Sequence, residues 1–231
     1  MKKKQLAWRV GLYLFGINCA AFGLRLCTIA DMGVATITSI PYSLSRAFNL
    51  NFPTTMFLVN MVFFLMQMVI KGRIGLWKKW DWFQIPCVFM VTSLLEVYER
   101  ILDFQVESLW SRILVVIVGI IFMGICGSLT VNMQFAPVPS DGIVYAISLV
   151  THQSLGNTKN IVDAFCILLA CGVDLLGNGK ISSIGLATVL CMIFMGRVIA
   201  VFEYFCKAKY MELAGLTDVV AGKKAPKAAR S

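Results

Sequence analysis

The residues best placed for chemistry stand at the openings of two short segments, Thr36–Leu50 and Val138–His152. Each segment begins with turn-forming or hydroxyl residues and then becomes apolar, with a helical pattern. In the second segment, Asp141 follows Ser140 at the position where a helix would begin. Its carboxylate either accepts backbone N–H bonds as a helix cap or lines a polar cavity, where it would contact a cation or an amine. The sequence is compatible with both interpretations.

The opening of the first segment offers neutral hydrogen-bonding groups and no second carboxylate. A tyrosine follows at a matching place in each segment, and the two rings either pack in the core or face each other. The candidate substrate-binding residues on both segments are Thr36, Thr38, Ser39, Tyr42, Ser140, Asp141 and Tyr145.

Charged residues inside apolar spans are a second class of candidates, because charge in hydrocarbon is costly and usually functional. Arg25 and Glu96 each lie about six residues from the predicted outer end of a span, so we expect a buried ion pair. Asp163 and Arg197 are expected to form a second pair. Such pairs either fix helix packing or belong to a functional site.

Three other charges fall near the ends of predicted elements. Asp174 and Glu203 stand close to span ends and are expected at the membrane interface. Arg46, near the base of the first short segment, either attracts anions or extends its side chain to the membrane surface.

The elements that position these side chains are apolar helices. The chain has 231 residues and is 14% charged, against ~25% for an ordinary globular domain. Five long apolar stretches and a sixth with one arginine approach the ~20 residues needed to cross a bilayer. They run roughly over 10–30, 54–70, 82–98, 113–133, 158–176 and 181–205. The sequence therefore predicts an all-α polytopic membrane protein, with one transmembrane domain over 1–206 and a basic, disordered cytoplasmic tail over 207–231.

The two short segments decide how the chain threads the membrane. If both cross fully, there are eight spans and the basic loop 71–80 lies outside, against the positive-inside rule. If both are re-entrant, there are six spans, both termini and that loop are cytoplasmic, and the linker 99–112 is external. Twelve helical residues climb ~18 Å, enough to reach the middle of the bilayer. The charge pattern favours six transmembrane helices plus two short re-entrant helices.

An internal duplication accompanies this pattern. Residues 9–70 align without gaps on 112–173, at an offset of 103, with ten identities in 62 positions. The identities include Tyr42 with Tyr145 and Thr55 with Thr158. Each half, about 9–100 and 112–206, has three crossings, so the halves would lie inverted in the membrane. This inverted 3+3 repeat is an architecture of transporters and channels.

Three motifs support a more specific comparison: Asp31-Met32-Gly33 followed by Pro41-Tyr42, Ser140-Asp141-Gly142, and Gly185–Thr188 leading to Gly196-Arg197. They resemble the YczE/YitT-type family of uncharacterised bacterial integral membrane proteins, over roughly residues 9–206. In that family a Ser-Pro pair is usual where Ala35 and Thr36 stand here. The resemblance implies a small polytopic membrane protein that acts in transport, and it brings no established substrate.

Composition also bears on other function classes. The net charge of +9 is concentrated at the termini and in one loop, which favours membrane orientation over nucleic-acid binding. The eight cysteines lie in or near apolar spans without a C-x-x-C pair and are expected to be reduced. The sequence has no nucleophile–base pair, metal-ligand cluster or phosphate-binding loop. We therefore expect neither an enzyme nor a cofactor or metal.

The leading hypothesis is a small-solute transporter or permease of the bacterial cytoplasmic membrane, with a polar site where two re-entrant tips meet near the midplane. The alternative is a non-transporting integral membrane partner that supports another membrane or biosynthetic complex. The expected partners are the lipid bilayer and a small solute, and a homodimer is left open.

Overall fold

The structure, a computed structural model, describes residues 3–77, 79–133, 135 and 138–216. Those residues contain helices and no strand. Short 3-10 helices over Thr36–Thr38 and Lys79–Phe83 precede the second and fourth α-helices. The α-helices in chain order are α1 (Lys3–Ala30), α2 (Ser39–Ala47), α3 (Phe52–Arg73), α4 (Gln84–Ile101), α5 (Leu109–Asn132), α6 (Pro139–Thr151), α7 (Leu155–Asn178) and α8 (Leu186–Leu213).

Five of these helices are long and apolar enough to cross a membrane: α1, α3, α5, α7 and α8. They make the chain a helical membrane protein, as the sequence predicts. The remaining predicted span, 82–98, corresponds to α4, which has 18 residues and carries Glu96, Glu99 and Arg100 in its last two turns. The predicted tail is partly wrong, because α8 continues to Leu213 and residues 207–213 are helical. The rest of that tail, from 217 onward, lies outside the described residues.

The helices pack as two groups of four. In the first bundle α1 lies along α5, α4 packs on α1, and α8 packs on α5. In the second bundle α2 lies along α7, and α3 lies along α6. Helix α2 also contacts α3, and α6 also contacts α7. The main apolar core lies where the bundles meet, with Ile17 and Leu95 from the first and Tyr42 and Phe52 from the second.

Glycines allow α1 and α5 to approach closely. A Cβ on Gly23 would lie 2.6 Å from the carbonyl oxygen of Gly119, and one on Gly119 would lie 2.8 Å from that of Gly23. Further along the contact, Gly16 faces Leu129. The residue numbers rise along α1 as they fall along α5, so the two helices are antiparallel.

Local hydrogen bonds recur at the offset found in the sequence. Helices α3 and α7 begin 103 residues apart, at equivalent positions of the two halves. The N-cap side chains of Asn51 and Ser154 each accept a hydrogen bond from the N–H group three residues later. Thr55 and Thr158 donate their hydroxyls to the carbonyl oxygens of these same caps. The two halves therefore share details of backbone and side chain as well as helix order.

Candidate functional site

The first turn of α6 contains an acidic residue, and no side chain caps this end of the helix. Val138 occupies the N-cap position, Pro139 begins the helix, and no side-chain cap bond is formed. Asp141 lies in the first turn and its side chain is exposed, so the cap interpretation is wrong. Its charge still lies at the positive end of the helix dipole, which stabilises a carboxylate there.

Two further charges lie near Asp141 on α7. Lys159 Nζ is 3.2 Å from the Asp163 carboxylate one turn later, and the two side chains are 48% and 10% exposed. Asp141 interacts electrostatically with both of them, and also with Cys126 of α5. We call Asp141, Lys159 and Asp163 the α6–α7 charge cluster. It carries two negative charges and one positive charge, so its net charge is negative.

The opening of α2 is arranged differently. Thr38 donates its hydroxyl to the carbonyl oxygen of Ala35 at 2.8 Å, and Ser39 donates to that of Thr36 at 2.5 Å. Thr36 and Ser39 are buried. These hydroxyls complete a local turn, so they are not free for a solute.

The two openings lie against different long helices, and the predicted meeting of their tips stays a prediction. Helix α2 packs along α7 and α6 packs along α3, and within the described residues α2 and α6 do not lie along each other. Ser140, half-buried, adjoins Asp141 on the α6 side. A candidate site is therefore present at one opening.

The tyrosines at matching positions have different surroundings. Tyr42 is buried, packs edge-on against Phe52 and donates a long hydrogen bond of 3.4 Å to Asp31. Tyr145 is 51% exposed, and Lys71 Nζ lies 5.9 Å from the centre of its ring. The two rings do not face each other.

The predicted ion pair of Arg25 with Glu96 is not formed. Arg25 donates from Nη2 to the carbonyl oxygen of Leu102 at 2.7 Å, just past the end of α4. Glu96 instead pairs with Arg100 one turn along its own helix, at 2.6 Å. A carbonyl without an intrahelical partner at a helix end is a strong acceptor for a guanidinium, which accounts for the choice.

The second predicted pair is also wrong. Asp163 pairs with Lys159, as described above. Arg197 is exposed on α8, 5.7 Å from the ring centre of Phe194, and has no ion pair within the described part of the chain.

A set of buried polar side chains, not predicted from the sequence, joins α3 to the start of α4. Lys71 Nζ lies 3.0 Å from Asp81 Oδ1, and Gln67 Nε2 donates to Gln84 Oε1 at 2.8 Å. Gln67 and Gln84 are fully buried. The signal in the sequence was a pair of glutamines within apolar stretches that flank a charged loop.

Asp174 has a structural role that was not predicted from the sequence. It is fully buried, although its position near a span end suggested the membrane interface. Its Oδ2 accepts from the N–H groups of Ser182 and Ser183 at 2.7 Å and from the Ser183 hydroxyl at 2.8 Å. Asp174 therefore fixes the loop that leads into α8.

This loop forms one wall of a cavity of about 300 Å³. The opposite wall comes from the segment after α1 and from the end of α2. We call it the Asp31–Lys180 pocket; its lining includes Asp31, Gly33, Arg46, Lys180 and Ser182. Arg46 Nη2 pairs with Asp31 Oδ1 at 2.5 Å.

Metal-binding groups were not expected, and within the described ranges no three His, Cys, Asp or Glu side chains are grouped so that they could hold a metal ion. The cysteines Cys19, Cys27, Cys87, Cys126, Cys166, Cys171, Cys191 and Cys206 are unpaired.

Comparison with known proteins places the chain in a family without an assigned activity. A family model described as a family of unknown function, DUF6198, matches residues 7–204, so the chain belongs to that family. An uncharacterized protein of Haemophilus influenzae (strain ATCC 51907 / DSM 11121 / KW20 / Rd) is 22% identical over 193 residues, covering 84% of this chain and 82% of that protein. No solved structure matches. The YczE/YitT-type resemblance stays a prediction, since the family that matches carries a different designation.

Proposed function

We propose that this DUF6198 protein is a membrane transporter for a small cationic or zwitterionic solute, with the α6–α7 charge cluster as its site. The observation that carries the proposal is the Asp141 carboxylate, which is exposed and does not cap the short helix in whose first turn it lies, between apolar spans. A carboxylate in a membrane protein must be partnered or hydrated, because its desolvation is expensive. An accessible carboxylate beside a Lys–Asp pair is a site that a cation or an amine can occupy.

The repeat supports a transport architecture. Because equivalent helices α1 and α5 run antiparallel, we infer that the two halves are inverted, each with three crossings and one re-entrant helix. Helix α6 has 13 residues and rises only about 20 Å, which is too short to span hydrocarbon. Gly142 contacts Gln67 and Tyr145 lies near Lys71, so α6 runs beside the last third of α3. A short helix in this place fits a re-entrant segment.

A difference between the two halves supports alternating access. Helices α3 and α4 pack together, with the Lys71–Asp81 pair between their ends. Within the described residues their equivalents α7 and α8 do not pack along each other. In transporters built from inverted repeats, a contact formed in one half and absent in the other corresponds to one face closed and the other open. We propose that movement of the second bundle against the first exchanges these contacts.

The charge pattern assigns an orientation to this proposal. Lys71 and Arg73 end α3, whereas Asp103 and Glu107 lie in the linker between α4 and α5. The positive-inside rule then places the 71–80 loop and both termini in the cytoplasm, and the protein in a bacterial cytoplasmic membrane. In this orientation the Asp31–Lys180 pocket opens outside.

Uptake by purified protein in liposomes tests the function. We expect wild-type protein to take up at least one of alanine, choline and guanidinium, with lactate as the anionic comparison. Asp141→Asn keeps size and fold and removes the charge, so uptake should fall to background. The matched control is Asp103→Asn, an exposed carboxylate in a linker, which should transport as wild type does. Full activity of Asp141→Asn would remove Asp141 from the site.

One observation favours the second candidate, a non-transporting membrane partner. Arg197 lies about twelve residues into α8 and is exposed without an ion pair in the described part of the chain. Tyr204 and Phe205, 84% and 75% exposed, lie further along the same helix. A partner helix with a carboxylate, including one from a second copy of this chain, would neutralise Arg197. Co-purification of such a partner that is lost in Arg197→Ala and kept in Lys209→Ala would support this role.

A further inference from the structure

We propose that the Asp31–Lys180 pocket binds a small monocarboxylate. This inference concerns a site separate from the α6–α7 charge cluster and does not depend on transport. It rests on the charges of the pocket, an unpartnered hydroxyl in its wall, and its apolar lining.

Among the residues that line the pocket, cations outnumber anions; the Asp174 carboxylate lies behind the wall, where it accepts the N–H groups of Ser182 and Ser183. The pocket is lined by two cations, Arg46 and Lys180, and one anion, Asp31. Asp31 is already neutralised by Arg46 and accepts a second, longer hydrogen bond from the Tyr42 hydroxyl. Lys180 is exposed and has no ion pair among the residues that the structure describes. A free ammonium beside a compensated ion pair favours an anionic ligand with a single charge.

Arg46 keeps hydrogen-bonding capacity. A guanidinium has five N–H donors in a planar fork that matches a carboxylate. In this structure Nη2 donates to Asp31, the guanidinium also interacts with the Tyr42 hydroxyl, and the guanidinium carbon lies 5.0 Å from the centre of the Tyr42 ring. The remaining donors are therefore held in place by Asp31 and Tyr42, and they are available to a ligand oxygen.

Ser182 supplies a neutral donor. Its hydroxyl is buried and has no hydrogen-bond partner, and the residue lines the pocket. A buried polar group without a partner costs free energy, which a ligand oxygen would recover. Asp174 accepts the N–H groups of Ser182 and Ser183, which fixes the backbone that carries this hydroxyl. Asp174 is thus a positioning residue for this pocket.

The size and the remaining walls indicate the rest of the ligand. The other residues of the lining are Met32, Ile181, Ile184, Gly185 and Leu186, and all except the glycine are apolar in their side chains. A volume of about 300 Å³ is at the lower limit for small-molecule sites. A carboxylate with a short aliphatic tail satisfies both the charged and the apolar parts of this lining, whereas inorganic phosphate leaves the apolar part unused.

Calorimetric titration of the purified full-length protein in detergent tests the proposal, with propionate as the probe. Propionamide, which has nearly the same shape without the charge, should not bind, and inorganic phosphate should bind more weakly than propionate. Lys180→Gln should weaken propionate binding about tenfold or more, while Lys180→Arg, which keeps the charge, should retain it. Ser182→Ala should weaken binding by a smaller factor.

The matched control is Lys209→Gln, an exposed lysine on α8 remote from the pocket, which should bind as wild type does. Lys180 is exposed and makes no ion pair in the described chain, so its variants should keep the wild-type melting temperature. Equal binding of propionamide, unchanged affinity in Lys180→Gln, or tighter binding of phosphate than of propionate would each overturn the proposal.

Discussion

Lys71 and Asp81 form an ion pair that is almost closed to solvent: Nζ and Oδ1 are 3.0 Å apart, and the side chains are 7% and 13% exposed. Gln84 Nε2 also donates to Asp81 Oδ1, at 3.4 Å. Phe64, Trp77 and Trp82 pack against one another with their rings edge-on or tilted, near the same end of α3. The pair therefore joins α3 to the start of α4 in surroundings that screen charge poorly.

Removing one member of this pair should be more harmful than removing both. Asp81→Asn leaves the Lys71 ammonium buried without compensation, so we expect a loss of about 3–5 kcal/mol in the free energy of unfolding. The double variant Lys71→Met with Asp81→Leu should recover much of it. The measurement is denaturant unfolding in mixed micelles. The control is Arg100→Gln, from a pair whose side chains are 77% and 45% exposed, where a change under about 1 kcal/mol is expected. Strictly additive losses in the double variant would contradict the coupling.

The contact of α1 with α5 should tolerate no side chain at Gly23. A methyl group there meets the carbonyl oxygen of Gly119 at 2.6 Å, and backbone cannot move aside easily. We expect Gly23→Ala to lower the free energy of unfolding by about 1–3 kcal/mol. The control is Gly196→Ala on α8, where a Cβ meets nothing within 4 Å; here the lower backbone entropy of alanine should stabilise by about 0.5–1 kcal/mol. Both effects can be read from the same unfolding curves, and equal changes would refute the close approach.

Accessibility of the candidate site can be tested with thiol reagents. In a background with all eight native cysteines replaced, Asp141→Cys should react rapidly with a small charged methanethiosulfonate, because the side chain is exposed. Ser39→Cys, at the opening of α2, should resist the same reagent, since Ser39 is fully buried. If Ser39→Cys reacts as fast, the two openings are equally accessible and the asymmetry of the site is refuted.

The proposed orientation can be tested from outside intact cells. Arg73→Cys, at the end of α3, and Asp103→Cys, in the linker after α4, replace exposed residues on either side of α4. An impermeant maleimide should label Asp103→Cys and leave Arg73→Cys unlabelled until the membrane is permeabilised. The reverse pattern would invert the topology, and labelling of both would require a different number of crossings.

The sequence was sufficient for some elements and insufficient for others, for identifiable reasons. The long helices follow from apolar runs, and the offset between the halves recovers the equivalent caps Asn51 and Ser154. The place of Arg25 near the end of α1 follows from the sequence, but this place does not say which part of α4 meets it, and Arg25 reaches Leu102 instead of Glu96. Lys71 and Asp81 flank a loop that the charge rule assigns to water, and only the tertiary packing of α3 on α4 shows that they are buried. The hydroxyls near Thr36 looked available because local turn bonds are not visible in composition.

The packing of α2 and α3 on helices of the other half affects the order of assembly during synthesis. Helix α2 makes its most extensive contact with α7, and α3 makes its own with α6. The surfaces of α2 and α3 that form these contacts therefore stay uncovered until the second half has been translated. When the ribosome has completed α4, the α1–α4 contact can form, but α3 must wait until α6 is complete at residue 151, and α2 until α7 is complete at residue 178. Because such non-local contacts form late, assembly of the second bundle should be the slow step of insertion and the stage at which quality-control proteases act. A chain truncated after α5 should therefore be degraded rapidly, although most of its apolar helices are already in the bilayer.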